Sequence, residues 1–189
     1  MLMRYEIQLQ TMTKAMVDTV LPAVDPLNAL AQEQCRLVIG TLMLMAEQLP
    51  LQYRFDCDEL TRMVAFADEL GAALEDCTGT VAADASSALT ASAVAGRELL
   101  SRPTADPTDL VTVARAIRTA LDHVIDAVFT DDCARAYRAD VHRVVLDHSR
   151  GEILRDRVWT RSQGFEPDAE ELPTIESLLL PLTSGLVTK

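Results

Sequence analysis

The sequence predicts an all-α protein, an up-and-down antiparallel helical bundle of about six long helices plus a short C-terminal helix. Three observations predict it. Apolar residues recur every three or four positions in segment after segment. Hydrophobic residues make up 49% of the 189 positions but aromatics only 4%, so the apolar content is chiefly Ala, Leu, Val and Met. Ala, Leu and Met are strong helix formers, whereas strands lean on aromatic and β-branched residues. The seven glycines and eight prolines fall mostly between the periodic segments, where helices should end.

The first helix is expected over 4–20, with Ile7, Leu9, Met12, Met16 and Val20 on its apolar positions, and Leu21 to Pro26 breaks it. Asp25 before Pro26 reads as an N-cap followed by proline in the first turn. A second helix over 26–49 carries Leu30, Leu37, Val38, Leu42, Met45 and Leu49. From Leu37 to Ala46 it is apolar on almost every side, which predicts a central helix surrounded by protein. The third starts near Asp56, whose spacing to Glu59 is that of a capping box, and Gly79 reads as its stop. The fourth, over 80–101, is rich in alanine, including Ala82, Ala88, Ala91 and Ala93. Its small side chains predict close helix approach, within the fold or between subunits. The fifth opens at Asp106-Pro107 and shows a clear face of Leu110, Val113, Ile117, Leu121, Val124 and Val128. The sixth, over 131–161, has a seam of Tyr137, Val141, Val144, His148, Gly151, Leu154 and Val158. The bundle domain is thus expected over 1–162. The acidic, proline-containing tail over 163–189 is expected to dock on the bundle or on a partner subunit, through a short helix near Ile175 and the run Leu178-Leu179-Leu180.

Composition excludes some functions. The formal net charge is −12. Nucleic-acid affinity comes largely from Lys and Arg at phosphates, so DNA and RNA are not expected partners, nor are anionic membranes. No basic helix-turn-helix opens the chain, which counts against a DNA-binding regulator. The N-terminus is too polar for a signal core, and the apolar run 37–46 is about half of a membrane span. A cytoplasmic setting with reduced thiols follows for Cys35, Cys57, Cys77 and Cys133, none of which stands in a C-x-x-C pair.

No spacing carries a recognisable chemistry. A di-metal carboxylate bundle needs Glu-x-x-His on two helices, but the residues three before His123, His142 and His148 are Ala120, Ala139 and Val145. No two glycines lie close enough for a phosphate cradle, and no G-x-S-x-G elbow is present. Neither a catalytic residue, a metal ligand nor a cofactor is expected. Two charged groups remain as anion or pocket candidates. The sixth helix holds Arg143, Arg150, Arg155 and Arg157, with His148 on its seam, and its arginines read either as a salt-bridged solvated face or as a pocket for a carboxylate or phosphate. In the second helix, Glu33 and Arg36 stand one turn apart, as a solvated helix end or the lining of a small cavity.

The segment Val20-Leu21-Pro22-Ala23-Val24-Asp25-Pro26, with Gln32-Glu33-Gln34 and Leu49-Pro50-Leu51-Gln52-Tyr53-Arg54-Phe55-Asp56, resembles stretches of uncharacterised bacterial helical proteins. The resemblance implies a bacterial source and an all-helical fold, and brings no catalytic residues with it. The expected function is a non-catalytic interaction or accessory module, with room for a small-molecule pocket between helices. Homodimerisation through the alanine-rich helix and the apolar tail is expected, with a protein partner or a small anionic ligand as the other candidates. The competing expectation is an enzyme or enzyme partner acting on an anionic metabolite or acyl thioester. Arg150, Arg155 and Arg157 would then hold the anion, and His148 or Glu33 would move protons.

Overall fold

The computed structural model describes residues 4–77, 80–164 and 166–181. Gly79, Gly185, the tail beyond Pro181 and the side chains of Ala82 and Cys133 lie outside the described residues. The fold is all-α, and no strand occurs among the described residues.

Helix α1 (Tyr5–Ala15) does not stop where the sequence placed a break. It widens into a π turn over Met16–Val20 and closes with an α-helical turn, α2 (Leu21–Ala23). Pro22 explains the widening. It has no N–H to donate, and its ring crowds the carbonyl four residues back. The chain answers with a wider ring, in which the Leu21 N–H donates to the Met16 carbonyl five residues back. The backbone turns extended at Val24. Asp25 then caps only a local turn, accepting the Leu27 N–H at 2.9 Å. The true cap of α3 (Ala29–Gln48) is Asn28, whose side chain accepts the Ala31 N–H at 3.0 Å.

Helix α4 (Gln52–Ala73) begins four residues earlier than expected. Asp56 is therefore inside the helix and buried, and its spacing to Glu59 is not a capping box. Helix α5 spans Thr80–Leu100 and α6 spans Pro107–Thr130. The cap of α6 is the expected one, with Asp106 accepting the Thr108 N–H at 2.7 Å. The expected face of α6 is the buried one: Leu110, Ile117, Leu121, Val124 and Val128. The long sixth helix divides into a 3-10 segment (Asp132–Tyr137) and α7 (Arg138–Trp159). Val141, Val144 and Val158 are buried along α7, while Gly151 is exposed. Helix α8 is one turn, Ile175–Leu178.

The chain forms two compact units. The first holds the described residues of Met1–Gln52 together with Leu154–Leu178. Here α1 packs on α3, with Leu9, Cys35, Ile39 and Leu42 buried. Gln48 Nε2 donates to the Trp159 carbonyl at 2.9 Å.

The second unit holds Tyr53–Ile153 and the chain from Leu179 onward. Its core joins Leu60, Met63 and Leu70 of α4, Leu89, Ala93 and Leu99 of α5, Ile117 and Val124 of α6, and Val141 of α7. The small residues of α5 matter here. A Cβ on Gly96 would lie 2.7 Å from Val64 Cγ2, so only glycine permits this approach of α5 to α4. The tail contributes a latch. Arg54 Nη2 donates to the Leu179 carbonyl at 2.7 Å and Nε to the Leu180 carbonyl at 3.2 Å. The Leu180 N–H donates to Asp58 Oδ1 at 2.8 Å, and Leu179 is buried. The two surfaces from which a homodimer was expected thus bury Leu89, Ala93 and Leu99 of α5, and Leu179 of the tail, within this unit.

Candidate interaction surface

Helix α3 carries two apolar stripes. The inner one, Cys35, Ile39 and Leu42, steps by four and three residues and is buried. The outer one, Leu30, Leu37, Val38 and Met45, is exposed by 71%, 49%, 47% and 48%. Read as one pattern, the two stripes make the helix look apolar all round. The expectation of a central helix surrounded by protein is therefore corrected: one side of α3 is packed, and the other carries large hydrophobics at the surface.

Gln34 and Thr41 complete the outer face, and both are exposed. Thr41 Oγ1 donates to the Leu37 carbonyl at 2.8 Å, so its hydroxyl is satisfied within the helix. At 3.6 residues per turn, these six side chains share an arc of about 100°. None of them is charged, in a chain with 17 basic and 29 acidic residues. The neighbouring charges, Glu33 and Arg36, stand outside the arc. They approach each other at 4.0 Å with both side chains about 60% exposed, which is the solvated helix end rather than a cavity lining.

Beside this helix the π turn opens a groove of about 340 Å³, lined by Gln10, Thr13, Lys14, Val17 and Asp18 with Met43 and Ala46 of α3. Met1, Met3, Met12, Met16, Met43 and Met45, six of the seven methionines, belong to the first 45 residues. Methionine is unbranched and polarizable, and is common at surfaces that adapt to a partner.

The charged candidates are each matched to a carboxylate nearby. In the second unit, Arg143 meets Asp140 at 3.6 Å and Arg150 meets Asp147 at 3.2 Å, all on the solvated surface of α7. Each arginine thus pairs with the aspartate three residues before it on the same helix, as on a salt-bridged solvated face. His148 stacks flat on Phe66, with ring centroids 4.1 Å apart and 9° between planes. Its Nε2 is 3.9 Å from Glu152 Oε2. Arg118 bonds both Glu152, at 2.9 Å, and Glu59, at 3.1 Å. Glu59, Arg118 and Glu152 thus form a row of alternating charge that ties α4, α6 and α7 together, and His148 lies beside Glu152. In the first unit, Arg155 is buried, with Nε 3.9 Å from Asp156 Oδ1. Arg157 donates from Nε and Nη2 to Glu166 Oε2 at 2.9 and 2.7 Å. That carboxylate raises the Arg157 pKa above its ordinary value. The pair ties α7 to the acidic segment that follows it.

Cys35, Cys57 and Cys77 are free thiols. Burial pushes the Cys57 thiol up, a hydrogen bond with Tyr53 pulls it back in part, and the Asp56 charge raises it again. Among the described residues no group of three or more His, Cys, Asp or Glu could hold a metal ion. Nor, among them, is any helix long and apolar enough to cross a membrane.

The residues that sequence reasoning missed are Gln34 and Thr41, and with them the outward face. The available signal was the pair of seven-residue intervals, Leu30 to Leu37 and Val38 to Met45, running beside rather than through the Cys35, Ile39 and Leu42 stripe. No protein-family model matches the chain, and no curated protein or solved structure matches it either.

Proposed function

We propose that this chain is a non-catalytic interaction module, and that it works by taking an apolar helix of a partner along the outward face of α3. One observation carries this reading: four large hydrophobic side chains, about half exposed or more, lie on an arc without charge in an otherwise strongly acidic chain. Apolar surface left in water forgoes about 25 cal/mol per Å², and contiguous patches of this kind mark partner sites. Seven-residue intervals are those by which one helix packs along another. The individual pairing of Arg36, Arg143, Arg150 and Arg157 with carboxylates supports a structural part for them. The charge of −12 supports a protein partner over nucleic acid or an anionic membrane. Composition and the resemblance support a bacterial cytoplasmic setting.

The test is whether the stripe can be charged without harm to the fold. Leu37→Glu, and separately Met45→Glu, should keep the helical circular-dichroism signal. Each should move Tm by no more than about 2 °C, since surface substitutions stay within about 0.5 kcal/mol. Collapse of helicity, or a Tm fall of about 8 °C or more, would put the stripe in the chain's own core and end the reading.

A further inference from the structure

We infer that the helix received by α3 is α3 of a second copy of this chain, lying antiparallel and centred between Leu37 and Val38. This rests on the reading of α3 as a docking face and names its partner. The face is a palindrome. From Leu30 it runs apolar, polar, apolar, then apolar, polar, apolar: Leu30, Gln34, Leu37, Val38, Thr41, Met45. A two-fold axis between Leu37 and Val38 therefore sets Leu30 against the partner's Met45, Gln34 against the partner's Thr41, and Leu37 against the partner's Val38. Every apolar side chain meets an apolar one, and the two amide or hydroxyl groups meet each other.

An interface between identical copies must be self-complementary in this way, residue for residue about the axis. A face evolved for an unrelated helix has no need of such symmetry. The seam from Leu30 to Met45 is about 24 Å long at 1.5 Å per residue. Antiparallel packing also brings the N-terminus of each helix, capped by Asn28, to the C-terminal end of the other, where the helix dipoles attract.

Charge points to the same occupant. Two copies at −12 each repel, and the repulsion acts within a Debye length of about 8–10 Å at ordinary salt. The uncharged arc of α3 is a face on which they can meet without bringing carboxylates together. In this register the two copies of Glu33 stand nine residues, about 13 Å, apart along the seam and outside its arc.

Sedimentation equilibrium of the full chain over a wide concentration range tests the inference. The native chain should reach twice 20.7 kDa, and Leu37→Glu combined with Val38→Glu should stay at 20.7 kDa with helicity unchanged. Two further double variants read the register. Gln34→Lys with Thr41→Glu places opposite charges across the axis and should associate at least as tightly as the native chain. Gln34→Lys with Thr41→Lys places like charges there and should weaken association about tenfold or more. A native mass that remains 20.7 kDa throughout, or equal association of the two double variants, would overturn the proposal. A monomer whose charged variants stay folded removes the second copy as occupant and leaves the docking face standing. Charged variants that unfold remove both.

Discussion

Replacing Asp58 with alanine should destabilise the protein more than any exposed ion-pair deletion, and the structure sets the size. The Asp58 side chain has no exposed surface, and it binds Arg62 Nε at 2.8 Å. Its other oxygen accepts the amide of Leu180, 122 residues away, at 2.8 Å. Removing it leaves the Leu180 N–H without this acceptor; Leu180 is 42% exposed, so water replaces part of the bond and the loss is about 0.5–1.5 kcal/mol. Breaking a buried ion pair costs about 3–5 kcal/mol when both partners are dry. The Arg62 side chain is 31% exposed, so water recovers part of that. A total of about 2–4 kcal/mol follows, or a Tm lower by roughly 6–12 °C for a chain of this size. The control is Asp68→Ala. Asp68 binds Arg97 at 2.7 Å, but the two side chains are 55% and 45% exposed. Such pairs are worth under about 1 kcal/mol, so Tm should fall by no more than about 3 °C. Calorimetry gives both numbers, and hydrogen exchange at the Leu180 amide reads the latch directly, since it should speed up in Asp58→Ala alone. If the two variants melt together, or the Leu180 amide exchanges as slowly as before, the latch does not hold the tail.

Two glycines with opposite surroundings should respond in opposite directions to alanine. Gly71→Ala meets nothing within 4 Å and should stabilise by up to about 1 kcal/mol, the helix-propensity difference. Gly96→Ala forgoes that gain, because its Cβ would press Val64 Cγ2 at 2.7 Å and Ile117 Cδ1 at 3.1 Å. Overpacking of about 1–3 kcal/mol leaves it less stable, and a urea midpoint above the native one would contradict the packing. The Cys57 thiol, raised chiefly by burial, should be alkylated with a pH midpoint above that of the same residue in the denaturant-unfolded chain. Its pKa is higher in the native state, so its stabilising effect is complete below the ordinary thiol range and is lost as pH rises through the native value. Equal midpoints in pulsed alkylation read by mass spectrometry would refute this.

Much of the fold was legible because helices announce themselves locally. On α6, the Asp106 cap and the single stripe from Leu110 to Val128 lie within one window of sequence, and both hold in the structure. The errors share a cause, which is that local patterns repeat where their usual context is missing. Asp56 and Glu59 have the spacing of a capping box in the interior of α4, where a separate start at Gln52 makes the cap unnecessary. Pro22 reads as a helix stop, yet the chain absorbs it in a π turn, at a cost no window of residue types reveals. The burial of Asp58 depends on Leu180, which lies far beyond the reach of any periodicity.

The candidate residues divide along the same line. Pairs three apart on one helix, Glu33 with Arg36, Asp140 with Arg143, and Asp147 with Arg150, follow from spacing alone. The stacking of His148 on Phe66, 82 positions away by number, does not. Periodicity reports that a face is dry, but not what keeps it dry. On α6 the apolar residues form one stripe, and the helices of its own unit cover it. On α3 there are two stripes: α1 with its π turn and the turn at Arg161–Gln163 pack on the helix, yet Leu30, Leu37, Val38 and Met45 stay exposed. The second stripe was therefore visible as an excess: more apolar arc than the neighbouring chain can close. Where such an excess is also free of charge and symmetric about its own midpoint, as from Leu30 to Met45, the missing cover is most simply another α3.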